Sequence, residues 1–232
     1  MTRRIIFSIL LLTGVSIALA NELTDFSGEN LTVYPDPNLI QPLQPGDELP
    51  TFNVFSLTGE KVEFGGKQDK PSVLISLRGG WCPYCNTHLR ELRKVVPELR
   101  DEGVDVYFFS GDSSDTLHSS LGRKTGRVVA KEDYILYSDS LAQAASALGI
   151  AYKVPDSLEF KKMTKKATEN GSIDKMGVLP VPAVFVVDTS GTIAFSHANA
   201  DYKDRLSADD IRTAVNKSLN DSNTDSEADV EN

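Results

Sequence analysis

Ser72-Val73-Leu74-Ile75-Ser76-Leu77 runs straight into Arg78-Gly79-Gly80-Trp81-Cys82-Pro83-Tyr84-Cys85, and the chain continues through Asn86 to Arg100. The first six residues read as a buried strand bounded by a glycine pair. From Cys82 onward, Leu89, Leu92, Val95, Val96 and Leu99 recur at helical spacing with charges between them, which predicts an amphipathic helix that opens at the cysteines. Pro83 suits the first turn of that helix, where its missing N–H is not needed. Pro97 is expected to kink or end its last turn.

Strand and helix signals alternate on either side. Phe52 to Leu57 and Lys61 to Phe64 flank Thr58-Gly59-Glu60 as a short hairpin. Val104 to Ser110 and Tyr134 to Tyr137 are the next strands, and Ser140 to Leu148 is a helix of small residues. Val184 to Val187 and Thr192 to Ser196 enclose the turn Asp188-Thr189-Ser190-Gly191. Ser207 to Leu219 supplies a closing helix. This order predicts an α/β fold whose central mixed β-sheet is flanked by helices.

The flanks are of other kinds. Residues 1–20 carry Arg3 and Arg4, an apolar run from Ile5 to Leu19 and the small-residue site Ala18-Leu19-Ala20, which is the pattern of a cleaved export signal. The apolar run is shorter than the roughly 20 residues a spanning helix needs, so the mature protein is expected in the periplasm or secreted, with no stable membrane insertion. Residues 21–42 read as an extended N-terminal arm, and the main domain is placed at 43–217. Six lysines and no clear strand mark about 153–178 as a partly helical insertion, and 218–232, with five acids and no Lys or Arg, as a disordered acidic tail. The formal charge of −9 becomes −11 once the two signal arginines are removed, which argues against nucleic acid as a partner.

The two cysteines carry the chemistry. A structural bridge is the ordinary reading of two cysteines in an exported chain, but closing so short a loop constrains the unfolded chain little. At the strand-to-helix junction, unpaired amides and the helix dipole favour a thiolate, and Arg78 adds positive charge. One thiol can then attack a peroxide or a disulfide while the other resolves the product. Zinc would want four ligands, and only His88 offers a third. Haem attachment needs His where Asn86 stands. No metal or organic cofactor is expected. Trp81 and Tyr84 are read as packing beside the thiols or forming their rim, His88 as a surface residue, and His118 and His197 as having no assigned chemistry.

Arg78-Gly79-Gly80-Trp81-Cys82-Pro83-Tyr84-Cys85-Asn86 with Leu89-Arg90 resembles the signature of peroxiredoxin-like proteins of the alkyl hydroperoxide reductase and thiol-specific antioxidant family. Pro45-Gly46-Asp47, Leu179-Pro180-Val181-Pro182-Ala183, Val187-Asp188, His197 and Asp201-Tyr202 extend the resemblance over roughly residues 43 to 215. It implies a thioredoxin-like fold with Pro182 as a cis-proline facing the dithiol, and a Val181 backbone able to pair with an extended thiol substrate. It also implies peroxide as the oxidant, or a protein disulfide as the alternative substrate, and an external thiol reductant such as a thioredoxin-like protein. Ordinary peroxiredoxins carry a proline, then Thr or Ser four residues on, then the attacking Cys three further. Those positions hold Arg78, Cys82 and Cys85 here. That register makes Cys85 the attacking thiol, whereas a thioredoxin register makes it Cys82.

Overall fold

The structure, a computed structural model, describes residues 31–117, 135–155 and 169–228, with side chains through residue 219. Nine strands are present among them: β1 (Phe52–Phe55), β2 (Lys61–Phe64), β3 (Ser72–Leu77), β4 (Asp105–Ser110), β5 (Ile135–Ser138), β6 (Ala151–Lys153), β7 (Val178–Pro180), β8 (Ala183–Val187) and β9 (Ile193–Ala198). The helices are α1 (Pro83–Leu92), α2 (Val95–Asp101), α3 (Gln143–Ala147), α4 (Ser172–Met176) and α5 (Ala208–Ala228). The predicted signal segment, the arm before residue 31, His118, residues 156–168 of the insertion and the last four residues lie outside the described residues.

Seven strands form one sheet in the order β2-β1-β5-β4-β3-β8-β9. The three central strands β5, β4 and β3 run parallel, β8 adds antiparallel to β3, and β9 antiparallel to β8. The expected mixed sheet is therefore the one observed, and β3 is buried at all six positions because helices and loops cover both of its faces. On one face α1, α2 and α5 pack Leu89, Leu92, Val96, Leu99, Ile211 and Val215 against Val73, Ile75, Phe108 and Val184. The other face is an aromatic and aliphatic layer in which Phe52 and Phe64 each meet Phe109 edge to face beside Leu74, Phe185 and Leu148.

The long helix expected after the cysteines is two helices. Pro97 has no N–H to give the carbonyl of Arg93, so the break falls at Arg93 and Lys94, a full turn upstream of the proline. Ser207 caps α5 by accepting from the Asp210 amide, and Arg212 ties α5 to α2 through an ion pair with Glu98 at 2.8 Å. Expected to end at Leu219, α5 runs on to Ala228, into the stretch expected to be disordered, which contains no Gly or Pro to stop a helix.

Two further differences bear on the site. The described ends of the insertion are not strand-free, because β6 and β7 pair antiparallel as a second, two-stranded sheet. The N-terminal arm completes this unit, with the Tyr34 amide donating to the Ala151 carbonyl and Tyr34 bridging to Tyr152. The described residues include no cis peptide bond, so Val181–Pro182 is trans and the expected cis-proline is corrected. Trans is the intrinsically favoured state of an X–Pro bond by about 0.5–1 kcal/mol.

Candidate active site

The strand β3 ends at Leu77 and the next four residues turn the chain into α1. Both sides of that turn are tied down. The Gly80 amide donates to Asp112 Oδ2 at 2.7 Å, and Asn86 Nδ2 donates to the Gly80 carbonyl at 3.0 Å. Gly79 sits at φ +150°, and a side chain there would collide with Trp81 and with Asp112, which is why the turn needs glycine. Cys82 then occupies the N-cap of α1 with Pro83 in the first turn, as expected from the sequence.

Both thiols are free and buried, Cys82 with 1% and Cys85 with no exposed surface. They are held differently. A hydrogen bond from the Cys85 thiol, reinforced by the Cys85 amide and by Arg78 and Arg205, lowers Cys82 to about 6 against the opposing effect of burial. Burial first, and then the neighbouring Cys82, pushes Cys85 well above the ordinary thiol range. The surroundings thus favour the anion at Cys82 and the protonated thiol at Cys85, the arrangement that the thioredoxin register calls for.

Arg78 is 7% exposed at the end of β3. Its guanidinium lies 4.3 Å from the ring centroid of Tyr202 and 5.3 Å from that of Trp81. Two ring faces thus receive the charge at the dithiol. Trp81 is partly buried and packs against the cores on both sides of the sheet, whereas Tyr84 is 39% exposed and meets Tyr202 edge to face at 5.5 Å. Tyr84 and Tyr202 form the outer rim.

Three residues of this site were not singled out in the sequence. Arg205, on the segment between β9 and α5, donates from Nη2 to Cys85 Sγ at 3.4 Å. Asp112, just past β4, is 1% exposed, and burial raises its carboxyl to about 6. Tyr152, on the missed strand β6, is close enough to feel the Arg78 charge. His88 is corrected as well: it is 3% exposed, not a surface residue, because it shares the inward face of α1 with Cys85 and Leu92. Its Nε2–H donates to the Leu206 carbonyl at 2.9 Å, and burial depresses it to about 4, so it is neutral at pH 7.

Val181 departs from the expected peptide-binding role. Its amide already donates to the Ile150 carbonyl at 2.9 Å, and the residue is 1% exposed beneath the β6–β7 unit. The Pro182 carbonyl accepts from the Asn199 amide. The backbone edge that would pair with an extended substrate is occupied by the protein itself.

A buried strand-to-helix dithiol on a mixed seven-stranded sheet defines a thioredoxin-fold thiol oxidoreductase. The model of the AhpC/TSA family matches residues 45–196, and the chain belongs to that family, as an enzyme of the thiol peroxidase class. No curated protein sequence matches it. Among solved structures it is similar to a peroxiredoxin-like protein from Aquifex aeolicus, at 18% identity over 77% of this chain and 89% of that one, with a TM-score of 0.54. A thiol peroxidase from Chromobacterium violaceum covers 84% of this chain and 95% of its own at 16% identity and a TM-score of 0.54. A reduced Prx3 from Vibrio vulnificus, solved with hydrogen peroxide, covers 74% and 98% at 19% identity and a TM-score of 0.55. At such identities the three structures establish the shared fold. No helix among the described residues is long and apolar enough to cross a membrane.

Proposed function

We propose that this protein is an exported peroxidase that reduces a small hydroperoxide through a Cys82/Cys85 dithiol-disulfide cycle. The Cys82 thiolate attacks the distal peroxide oxygen, the O–O bond breaks, and the leaving alkoxide or hydroxide takes a proton to depart as alcohol or water. Cys82 is then a sulfenic acid. The Cys85 sulfur attacks it, its proton and the departing hydroxyl leave as water, and a disulfide closes within the first turn of α1. An external dithiol of the thioredoxin type restores the pair by exchange.

The observation that carries this reading is the different setting of the two sulfurs, Cys82 at the N-cap of α1 and Cys85 fully buried with Arg205 on its sulfur, which favours the anion at Cys82. The occupied Val181 amide favours a small oxidant over an extended protein disulfide, because a peptide has no free backbone edge to pair with. Asp112, buried and bonded to the Gly80 amide, holds the turn that carries the dithiol. Export rests on the pattern of residues 1–20.

Stopped-flow mixing of the reduced protein with hydrogen peroxide and with an alkyl hydroperoxide tests the reaction. Oxidation of the dithiol at least a hundred times faster than free cysteine at the same pH is the expected result, on the order of the gain that positioning and a preorganised charge provide. A rate equal to that of free cysteine, together with rapid turnover of a protein disulfide, replaces the peroxidase with a thiol-disulfide oxidoreductase.

A further inference from the structure

Beside the dithiol lies a small cavity lined by Ser76, His88, Pro182, His197, Asp204 and Arg205, among others. Its walls hold three buried polar atoms with no hydrogen-bond partner among the described residues: His88 Nδ1, His197 Nε2 and Arg205 Nη1. Leaving such groups unsatisfied costs about 1–3 kcal/mol each, and native interiors meet the requirement with ordered water where protein atoms do not reach. The cavity is small, about 10 Å³, which suits a single water molecule.

The donor set fits water in detail. His88 donates through Nε2 to the Leu206 carbonyl, so its Nδ1 carries a lone pair and needs a donor. Arg205 Nη1 can only donate and needs an acceptor. Water is both. A cation is disfavoured by the guanidinium that shares the space, and an anion by the Asp204 carboxylate, which accepts from Asn199 Nδ2 at 2.6 Å. His197, Asp204 and Arg205 lie beyond the residues that the family model covers.

We propose that this cavity is a binding site for one water molecule, which accepts from Arg205 Nη1, donates to His88 Nδ1 and takes His197 Nε2 as its third partner, and that His88 is thereby a positioning residue holding the guanidinium on Cys85. One amine of Arg205 faces the water while the other donates to Cys85 Sγ, so the bound water fixes the rotation of the planar group. The site serves the dithiol whichever oxidant reaches it.

Crystal structures of the reduced wild type and of His88→Leu and His197→Leu, paired with ultraviolet titration of the thiolate, form the test. In the wild type a single water is expected at roughly 2.7–3.2 Å from all three atoms. An unhydrated cavity, or the three atoms turned onto protein partners, overturns the site. In each variant the water is expected to be lost, the guanidinium to move off Cys85, and the thiolate midpoint to rise by roughly half a unit as a nearby cation is displaced. A variant with Arg205 still on Cys85 and an unchanged midpoint overturns the positioning role. His197, partly exposed on β9, keeps the test open should the buried His88 substitution fail to fold. None of these readouts is peroxide turnover, so their failure is distinct from a failure of the peroxidase reading.

Discussion

Arg205 donates to the Cys85 sulfur across 120 residues of chain. The fold explains it. β9 pairs with β8, β8 pairs with β3, and β3 launches the dithiol turn, so the segment leaving β9 returns over the start of α1. Arg205 lowers both thiols from there. Arg205→Met keeps the length of the side chain and removes its charge and donors. Its thiolate titration is expected to shift upward, and at pH 6 its peroxide rate to fall about twofold, since a rise of about half a unit from a midpoint near 6 halves the thiolate present. Arg205→Lys restores part of the charge without the planar fork and should fall between the two.

The two thiols are expected to fail in different ways. Cys82→Ser removes the ionised sulfur and should lower the peroxide rate by a factor of about a thousand or more, toward the uncatalysed background. Cys85→Ser keeps a hydroxyl able to donate to Cys82, so its first turnover should remain within about tenfold of the wild type while a sulfenic acid accumulates. Mass spectrometry after dimedone trapping separates the outcomes: an adduct on Cys82 in Cys85→Ser, and none on Cys85 in Cys82→Ser.

Peroxide reactivity should follow ionisation of Cys82. Its thiol is lowered from the ordinary 9.0 to about 6, so the second-order rate constant is expected to rise from pH 5, reach half its plateau near 6 and stay level to pH 8. His88, at about 4, is neutral over this whole interval and adds no second limb. A midpoint near 8 to 9, the range of a free thiol, would show that Cys82 is not held as its anion.

Much of the scaffold was legible in the sequence because its parts declare themselves locally. The apolar run Ser72–Leu77, the N1 proline after Cys82 and the Asp188–Gly191 turn each carry their own signal, and each element appears where expected. β6 and β7 did not, since three residues apiece, one ending in Lys153 and the other in Pro180, give too short a pattern to see. The site was half legible. Both cysteines and Arg78 are adjacent in sequence, whereas Asp112 and Arg205 reach them only through strand order. The trans Val181–Pro182 bond and the occupied Val181 amide show the limit of resemblance: a matching Pro position did not fix its isomer, nor which backbone groups remain open.

Asp139 caps α3 from the interior, accepting from the Ala144 and Ala145 amides at 3.0 and 2.9 Å. Burial outweighs those bonds and raises its carboxyl from the ordinary 3.8 to about 7. A raised carboxyl contributes stability that is present below about 4 and is lost as pH climbs through 7, because the unfolded chain releases the proton earlier. Asp112, raised to about 6, acts in the same direction. Urea unfolding of the reduced protein between pH 4 and 6, below the main ionisation of Cys82, should therefore show stability falling with pH, each buried carboxyl contributing at most about 1.4 kcal/mol per unit. Asp139→Asn retains one acceptor oxygen and loses the titration, so its slope is expected to be shallower. An equal slope would mean that Asp139 titrates normally in the folded state.

Gly149 closes α3 at φ +71°, and its turn delivers Ile150, whose carbonyl occupies the Val181 amide. There is no room for a side chain, because a Cβ would strike the Gln41 carbonyl oxygen of the N-terminal arm, with Pro42 close behind. Gly149→Ala combines a left-handed conformation, costing about 1 kcal/mol or more in itself, with a collision against backbone that cannot swing aside. A loss of roughly 2–4 kcal/mol in urea unfolding is expected. The arm is the element free to yield, so hydrogen exchange should quicken at Tyr34 and Leu43, which bond Ala151 and Leu148, before it quickens in β3. If the Val181 amide also exchanges faster and the variant gains turnover of a protein disulfide, the β6–β7 cover is what restricts this dithiol to small oxidants. Faster Val181 exchange with no such gain would place the restriction in the Tyr84 and Tyr202 rim instead.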